Sequence, residues 1–194
     1  MKEVIIIGNG PSVKNIKNFD INNKSIIAVN RWNSIFKKFN LPDPNYVIIG
    51  ANSLEYNLNN IYNKKNIKFF CCNNYLKKNN TIYSIKNNNL TLLKFGNLNV
   101  YNSNINFYDK LWWSGFYCLQ LALILQYDKI HIFGMDCDNN NDYDDNYSRT
   151  NIPIASYNRI ILFLNELKKI KNYKDIIKVY NEDNNNLIRR VLDI

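Results

Sequence analysis

Val4-Ile5-Ile6-Ile7-Gly8-Asn9-Gly10-Pro11-Ser12 is the stretch on which the fold of this chain turns. Four consecutive apolar, β-branched residues leave no polar face, so the run describes a strand covered on both sides, as inside a parallel sheet. Gly8 and Gly10 allow close backbone approach, and Pro11 suits chain that enters a helix with its φ already fixed. Ser12 is expected to cap that helix. Free N–H groups at such a helix start, at the positive end of its dipole, favour a phosphate. The motif is neither a GxGxxG turn nor a Walker loop, so an ordinary tight strand-to-helix turn stands beside the phosphate reading.

Further apolar runs repeat the pattern. Residues 25–29 and 46–50 predict a second and third strand, one ending at Asn30 and the other near Asn52. Residues 67–72 predict a fourth, and an Asn-rich stretch over 73–107 holds short β-like pieces at 81–83 and 90–93. Apolar residues at helical spacing over 114–127 lead into a buried strand over 129–134, and another helix is expected over 156–171. A strand over 175–180 and a helix over 184–191 complete the pattern. Strands alternating with helices predict an α/β fold: one Rossmann-like domain over 1–194, doubly wound, with a mostly parallel sheet flanked by helices and a short lid loop over 137–151.

Composition supports a folded chain. Of 194 residues 46% are hydrophobic, among them 14 Tyr, 10 Phe and 3 Trp, enough apolar surface to offset chain entropy despite the many asparagines. The formal charge of +9 is mostly lysine scattered over helix-like and loop stretches, which reads as solvated faces rather than a nucleic-acid surface. Cys71, Cys72, Cys118 and Cys137 lack paired CxxC spacing, so neither a zinc site nor a disulfide framework is signalled. No apolar run approaches the roughly twenty residues that span a bilayer. A cytoplasmic, reduced protein is expected, with self-association left open.

In open parallel sheets ligands collect outside the carboxyl ends of the strands, which selects the candidate residues. Gly8, Asn9, Gly10 and Ser12 follow the first strand. Asn30 and Asn52 each end a strand with an amide that both donates and accepts. Ser114 is expected to cap the helix it opens, with Gly115 beside it and Trp112 or Trp113 available to stack on a ring. Gly134 and Asp136 end the later strand at the same rim. Asp136, Asp138, Asp142, Asp144 and Asp145 could attract a hard cation, yet the spacing lacks the glycine and terminal glutamate of an EF-hand, so a solvated lid is expected and no metal or other cofactor. Tyr143, Tyr147 and Arg149 are the lid residues able to meet a phosphate. The single histidine, His131, lies inside the apolar strand 129–134, which argues against a catalytic role.

Residues 4–14, the strand-end Asn30 and Asn52, and Ser114-Gly115 leading to Ile130-His131-Ile132-Phe133-Gly134-Met135-Asp136 resemble the bacterial family 42 glycosyltransferases, sialyltransferases that use CMP-sialic acid. The resemblance runs in order along nearly the whole chain. It implies a glycosyltransferase that binds a nucleotide-activated sugar, a CMP-sugar first, and transfers it with inversion to an acceptor the sequence does not name, without a metal. It places Asn9 and Ser12 near phosphate and ribose, Asn30 and Asn52 near phosphate or cytidine, Ser114 and Gly115 near the donor, and Gly134 and Asp136 near cytosine or ribose. Tyr143 and Tyr147 would assist departure of the phosphate, so the catalytic candidates are Tyr143, Tyr147 and Asp136. The family's general base is a lid histidine, and no histidine occurs between Cys137 and Ile194. The opening and the strand-Gly-x-Asp pattern also resemble archaeal 6-hydroxymethylpterin pyrophosphokinases, which would substitute ATP and Mg²⁺. A nucleotide-binding module without catalysis is the third reading.

Overall fold

The computed structural model describes residues 1–50, 53–72, 90–93, 96–108, 111, 113–136, 154–181, 183 and 186–194. Strand β1 (Glu3–Ile7) leads to a 3₁₀ helix (Pro11–Asn18), followed by β2 (Ser25–Val29), α1 (Trp32–Phe39), β3 (Tyr46–Ile49), α2 (Leu54–Asn63), β4 (Lys68–Cys72) and β5 (Leu90–Leu93). A hairpin of β6 (Asn97–Val100) and β7 (Ser103–Asn106) precedes α3 (Ser114–Ile124) and β8 (Lys129–Phe133). The remainder is α4 (Ile154–Leu167), α5 (Tyr173–Ile176), β9 (Ile177–Val179) and α6 (Leu187–Leu192).

The main sheet has seven strands in the order β5-β4-β3-β2-β1-β8-β9, and every pairing in it is parallel. Strands β1 to β5 build outward on one side of β1 and β8 and β9 on the other, the reversal that defines a doubly wound, Rossmann-like α/β fold. Side chains alternate across it. Val4 and Ile6 join Ile130, Ile132 and the inner faces of α3 and α4 in one core, while Ile5 and Ile7 join Val13, Ile16, Ile35, Phe36 and Phe133 in the other. Burial on both faces explains why β1 is apolar at every position from Val4 to Ile7.

Helix α1 follows from Trp32, Ile35 and Phe36, buried at i, i+3 and i+4, and stops at Asn40, whose φ of 52° is a left-handed cap. Several expectations need correction. The segment after the glycine turn is a 3₁₀ helix capped by Gly10, not by Ser12, and no side chain caps it. Helix α3 has Trp113 at its N-cap, so Ser114 sits inside the first turn and does not cap it. The strand expected over 175–180 divides into α5 and a three-residue β9 because Asn172, at φ 62°, starts a helical turn first. The β6–β7 hairpin adds an antiparallel element absent from the expected pattern: it turns through Tyr101 and Asn102, at φ 49° and 57°, where the usual glycine cue is missing. The lid loop over 137–151 lies outside the described residues, as does the β-like piece at 81–83.

Candidate functional site

The carboxyl ends of β1 and β8 meet where the strand order reverses, and they meet tightly. Gly8 N–H donates to Phe133 O and Gly10 N–H to Gly134 O, both at 2.8 Å. A Cβ at Gly8 would stand 2.2 Å from Gly134 O, and one at Gly134, whose φ is +68°, would stand 2.6 Å from Gly8 O. Both positions therefore need glycine because two backbones touch.

Ser12 locks this junction in two directions. Its Oγ accepts from Gly134 N–H at 3.1 Å, and its own N–H donates to Asp136 Oδ2 at 3.0 Å. The other Asp136 oxygen accepts from Asn181 Nδ2 at 2.6 Å. Asp136 is 4% exposed, so these bonds replace water that the carboxylate has lost. Asn186, 1% exposed, donates from Nδ2 to Met135 O and Asp136 O while its Oδ1 caps α6 on Ile188 and Arg189 N–H. The in-chain carboxylate thus occupies the Ser12 amide that the sequence offered to a phosphate.

A second polar cluster joins the exits of β2 and β3 to α3. Asn30 adopts φ 45°, a conformation asparagine tolerates, and its Oδ1 accepts from Gly50 N–H at 2.8 Å and from Ser114 Oγ at 3.3 Å. Asn57, fully buried, donates to Asn30 O at 2.8 Å and Ser53 O at 2.7 Å and accepts from Trp32 Nε1 at 3.2 Å. Met135 links the two clusters: Cβ atoms at Gly115 and Gly8 would lie 2.9 Å and 3.2 Å from its side chain.

Within this rim Asn9 differs from its neighbours. Its Oδ1 is buried and has no hydrogen-bond partner, the single such side-chain atom among the described residues. Leaving a buried acceptor unmet costs about 1–3 kcal/mol, a cost that a ligand donor would remove.

The structure therefore brings Gly8, Asn9, Gly10, Ser12, Gly134 and Asp136 together, and sets Asn30, Ser114 and Gly115 beside them through Met135. Asn52, Tyr143 and Tyr147 lie outside the described residues, as do Trp112 and Arg149. Sequence reasoning gave no site role to Asn57, Asn181, Asn186 or Arg189. For Asn186 a signal existed, an Asn directly before an apolar run that starts a helix. His131 stands apart, buried between Glu3 Oε2 at 3.1 Å from Nε2 and Tyr180 OH at 3.0 Å from Nδ1, with Phe19 packed 4.7 Å away centre to centre. Burial pushes its pKa below the usual histidine value despite the opposing pull of Glu3. A groove of about 380 Å³ bordered by Lys174, Lys178, Tyr180 and Arg189 includes none of the glycine-turn residues. Its cations are engaged within the chain, Lys174 with Asp193 and Arg189 with Asn181 O, so the candidate site is taken from the rim chemistry and not from this groove. Among the described residues no cluster of three His, Cys, Asp or Glu could hold a metal ion, and no helix is long and apolar enough to cross a membrane.

No family model and no curated protein matches the chain. Solved structures do. The α-2,3-sialyltransferase Cst-I from Campylobacter jejuni aligns with a TM-score of 0.59 at 19% identity, over 100% of this chain and 80% of that one. The sialyltransferase CstII from Campylobacter jejuni, solved with the substrate analogue CMP-3FNeuAc, gives 0.55 at 20% identity over 99% and 85%. CST-II solved with a trisaccharide acceptor and CMP gives 0.56 at 21% over 100% and 86%. At such identities the likeness shows a shared Rossmann-like fold. The resemblance to pyrophosphokinases draws no support from these neighbours.

Proposed function

We propose that this chain is a glycosyltransferase-like enzyme that holds a nucleotide-activated sugar at the β1–β8 rim, with CMP-sialic acid as donor and a carbohydrate hydroxyl as acceptor. The observation that carries the reading is Asn9: a buried, unmet amide oxygen at the reversal of strand order, among polar groups that already have partners. A ribose or sugar hydroxyl would meet that oxygen, and turning the amide would offer its N–H to a phosphate oxygen instead. The fold shared with structures solved with CMP and a CMP-sugar analogue supports the same ligand class.

In this reading the acceptor hydroxyl attacks the anomeric carbon, the bond from that carbon to the phosphate oxygen breaks, CMP leaves with the electron pair, and the hydroxyl proton passes to water or to the departing phosphate. Tyr143 and Tyr147 would hydrogen-bond the departing phosphate. Asp136 holds the glycine turn through Ser12, so its carboxylate acts by shaping the site. A specific observation also favours a non-catalytic nucleotide-binding module. Among the described residues, the one imidazole is closed between Glu3 and Tyr180, and the rim carboxylate is bound on both oxygens. Thermal-shift measurements with CMP, CDP, UDP, GDP and ATP, each with and without Mg²⁺, separate the readings. Stabilisation by CMP without metal is expected, followed by release of CMP from CMP-sialic acid when an acceptor is supplied. Stabilisation by ATP only with Mg²⁺ would replace the proposal with phosphoryl transfer, and binding without turnover would leave the module.

A further inference from the structure

The tail of the chain reaches the rim through three side chains that the proposed reaction does not use. Asn181 Nδ2 donates to Asp136 Oδ1 at 2.6 Å, and Arg189 Nη1 fixes Asn181 by donating to its carbonyl at 2.7 Å. Asn186 bridges the carbonyls of Met135 and Asp136 and at the same time caps α6, the helix that carries Arg189. On the other side of Asp136 stands the Ser12 N–H, a first-turn amide of the 3₁₀ helix with no partner inside its own helix. A carboxylate there suits the helix dipole, but only if its second oxygen is also satisfied once water is gone. Asn181 supplies that bond.

We propose that Asn181 is a positioning residue of the glycine turn: its amide keeps the Asp136 carboxylate on the Ser12 N–H, and thereby sets where Asn9 stands. Asn186 and Arg189 hold Asn181 and the β8 exit in register, so α6 acts as a strap across the candidate site. The effect on nucleotide binding rests on the function proposed above. The effect on the turn does not.

Amide hydrogen exchange at Ser12, followed with and without CMP, tests the inference. Asn181→Ala is expected to speed exchange at Ser12 about tenfold while β3 and β4 keep their protection, and to weaken CMP binding about tenfold, a change equal to roughly 1.4 kcal/mol. Asn181→Asp is expected to do more, because it sets two carboxylates in contact. The exchanged pair Asp136→Asn with Asn181→Asp keeps both hydrogen bonds, since the relocated amide accepts from the Ser12 N–H and donates to the relocated carboxylate. It is expected to restore slow exchange and CMP affinity together. A loss of packing alone would not be repaired by that exchange. Unchanged Ser12 exchange in Asn181→Ala, or failure of the pair to fold or to restore it, overturns the inference. Faster exchange in a protein whose wild type binds no CMP would leave the strap standing and retire the nucleotide reading. Faster exchange with CMP affinity unaltered would remove Asn181 from the binding site.

Discussion

Strands β1 and β8 carry two polar clusters, and the two are built on opposite terms. Along the strands, Glu3, His131 and Tyr180 form a closed set: both ring nitrogens have partners, and Phe19 and Phe133 pack around the Tyr180 ring, the latter stacked at 4.4 Å. At the carboxyl ends, Gly8, Ser12, Gly134 and Asp136 are equally well bonded to one another, yet Asn9 between them is left with a buried oxygen unmet. Buried polar groups in folded proteins are nearly always paired, so the exception is what sets the proposed site apart from the closed cluster. Tyr180 and Asn181 are consecutive, so the tail that completes the first cluster also braces the second.

The contrast would break most violently at Gly8. A methyl group there meets the carbonyl oxygen of Gly134 at 2.2 Å, and backbone in a parallel sheet cannot move aside as a side chain can. Gly8→Ala is expected to cost about 3 kcal/mol or more, the upper range for overpacking. For a chain of this size that lowers Tm by roughly 6–12 °C in a melting experiment. Gly96→Ala, with nothing within 4 Å of its added Cβ, is the matched control and should melt like the wild type. If Gly8→Ala melts with it, the junction is looser than the close contact implies.

Next in size is Asn57, which serves the β2 and β3 exits as Asp136 serves β8. Asn57→Ala strands Trp32 Nε1, Asn30 O and Ser53 O around a side chain that is fully buried. A loss of about 2–3 kcal/mol is expected from urea denaturation, within the penalty range for unmet buried groups. A loss below about 0.5 kcal/mol, the scale of surface substitutions, would mean that the carbonyls find other partners.

How far these clusters were legible in the sequence follows from what each depends on. The central strands were plain because burial on both faces demands unbroken apolar runs: 25–29 is a strand over those same residues, and 46–49 falls short of expectation by one. The rim was legible in outline, since strand ends name Gly8, Asn30 and Gly134 without any knowledge of contacts. Its internal wiring was not. Ser12 and Ser114 were expected to cap helices by their local position, but each oxygen turns to a residue more than 80 positions away, Ser12 to Gly134 and Ser114 to Asn30. Asn57 was hidden for a different reason: in an asparagine-rich chain, one more asparagine carries no information until the fold shows which amides are buried. The helix at 32–39 had its cue in Trp32, Ile35, Phe36 and Phe39, and the strand-to-strand reading stepped over it.

The closed cluster predicts a smaller, pH-dependent effect. Burial holds the folded pKa of His131 below its ordinary value, against the pull of Glu3, so on acidification the unfolded chain takes the proton first. The stability His131 contributes is therefore complete above about pH 6.5, the ordinary histidine value, and is lost as pH falls toward the folded pKa. Glu3, lowered because its hydrogen bond to His131 and the charges of His131, Lys24 and Lys129 together outweigh burial, titrates in a lower window and does not mask the effect. Wild-type Tm should decline between pH 7.5 and 5.5. His131→Gln, which keeps a donor for Glu3 and an acceptor for Tyr180 without titrating, should flatten that decline. An identical slope in both proteins would assign the acid sensitivity to other groups.

The smallest expected effect on stability is the most informative about function. Asn9→Ala removes the one buried side-chain oxygen without a partner among the described residues, so the ligand-free protein should melt within about 1 °C of wild type or slightly above it. Groups kept for binding commonly cost the free fold something, and their removal exposes that trade. The same substitution should weaken CMP binding by about tenfold in titration calorimetry, equivalent to one hydrogen bond of roughly 1.4 kcal/mol. A clear drop in Tm would instead show that Asn9 has a partner within the fold, and the rim would then be as closed as the cluster around His131. Equal CMP affinity with unchanged Tm would leave the open oxygen real but unused by this nucleotide. Only a loss of affinity without a loss of stability fits a site whose last partner arrives with the ligand.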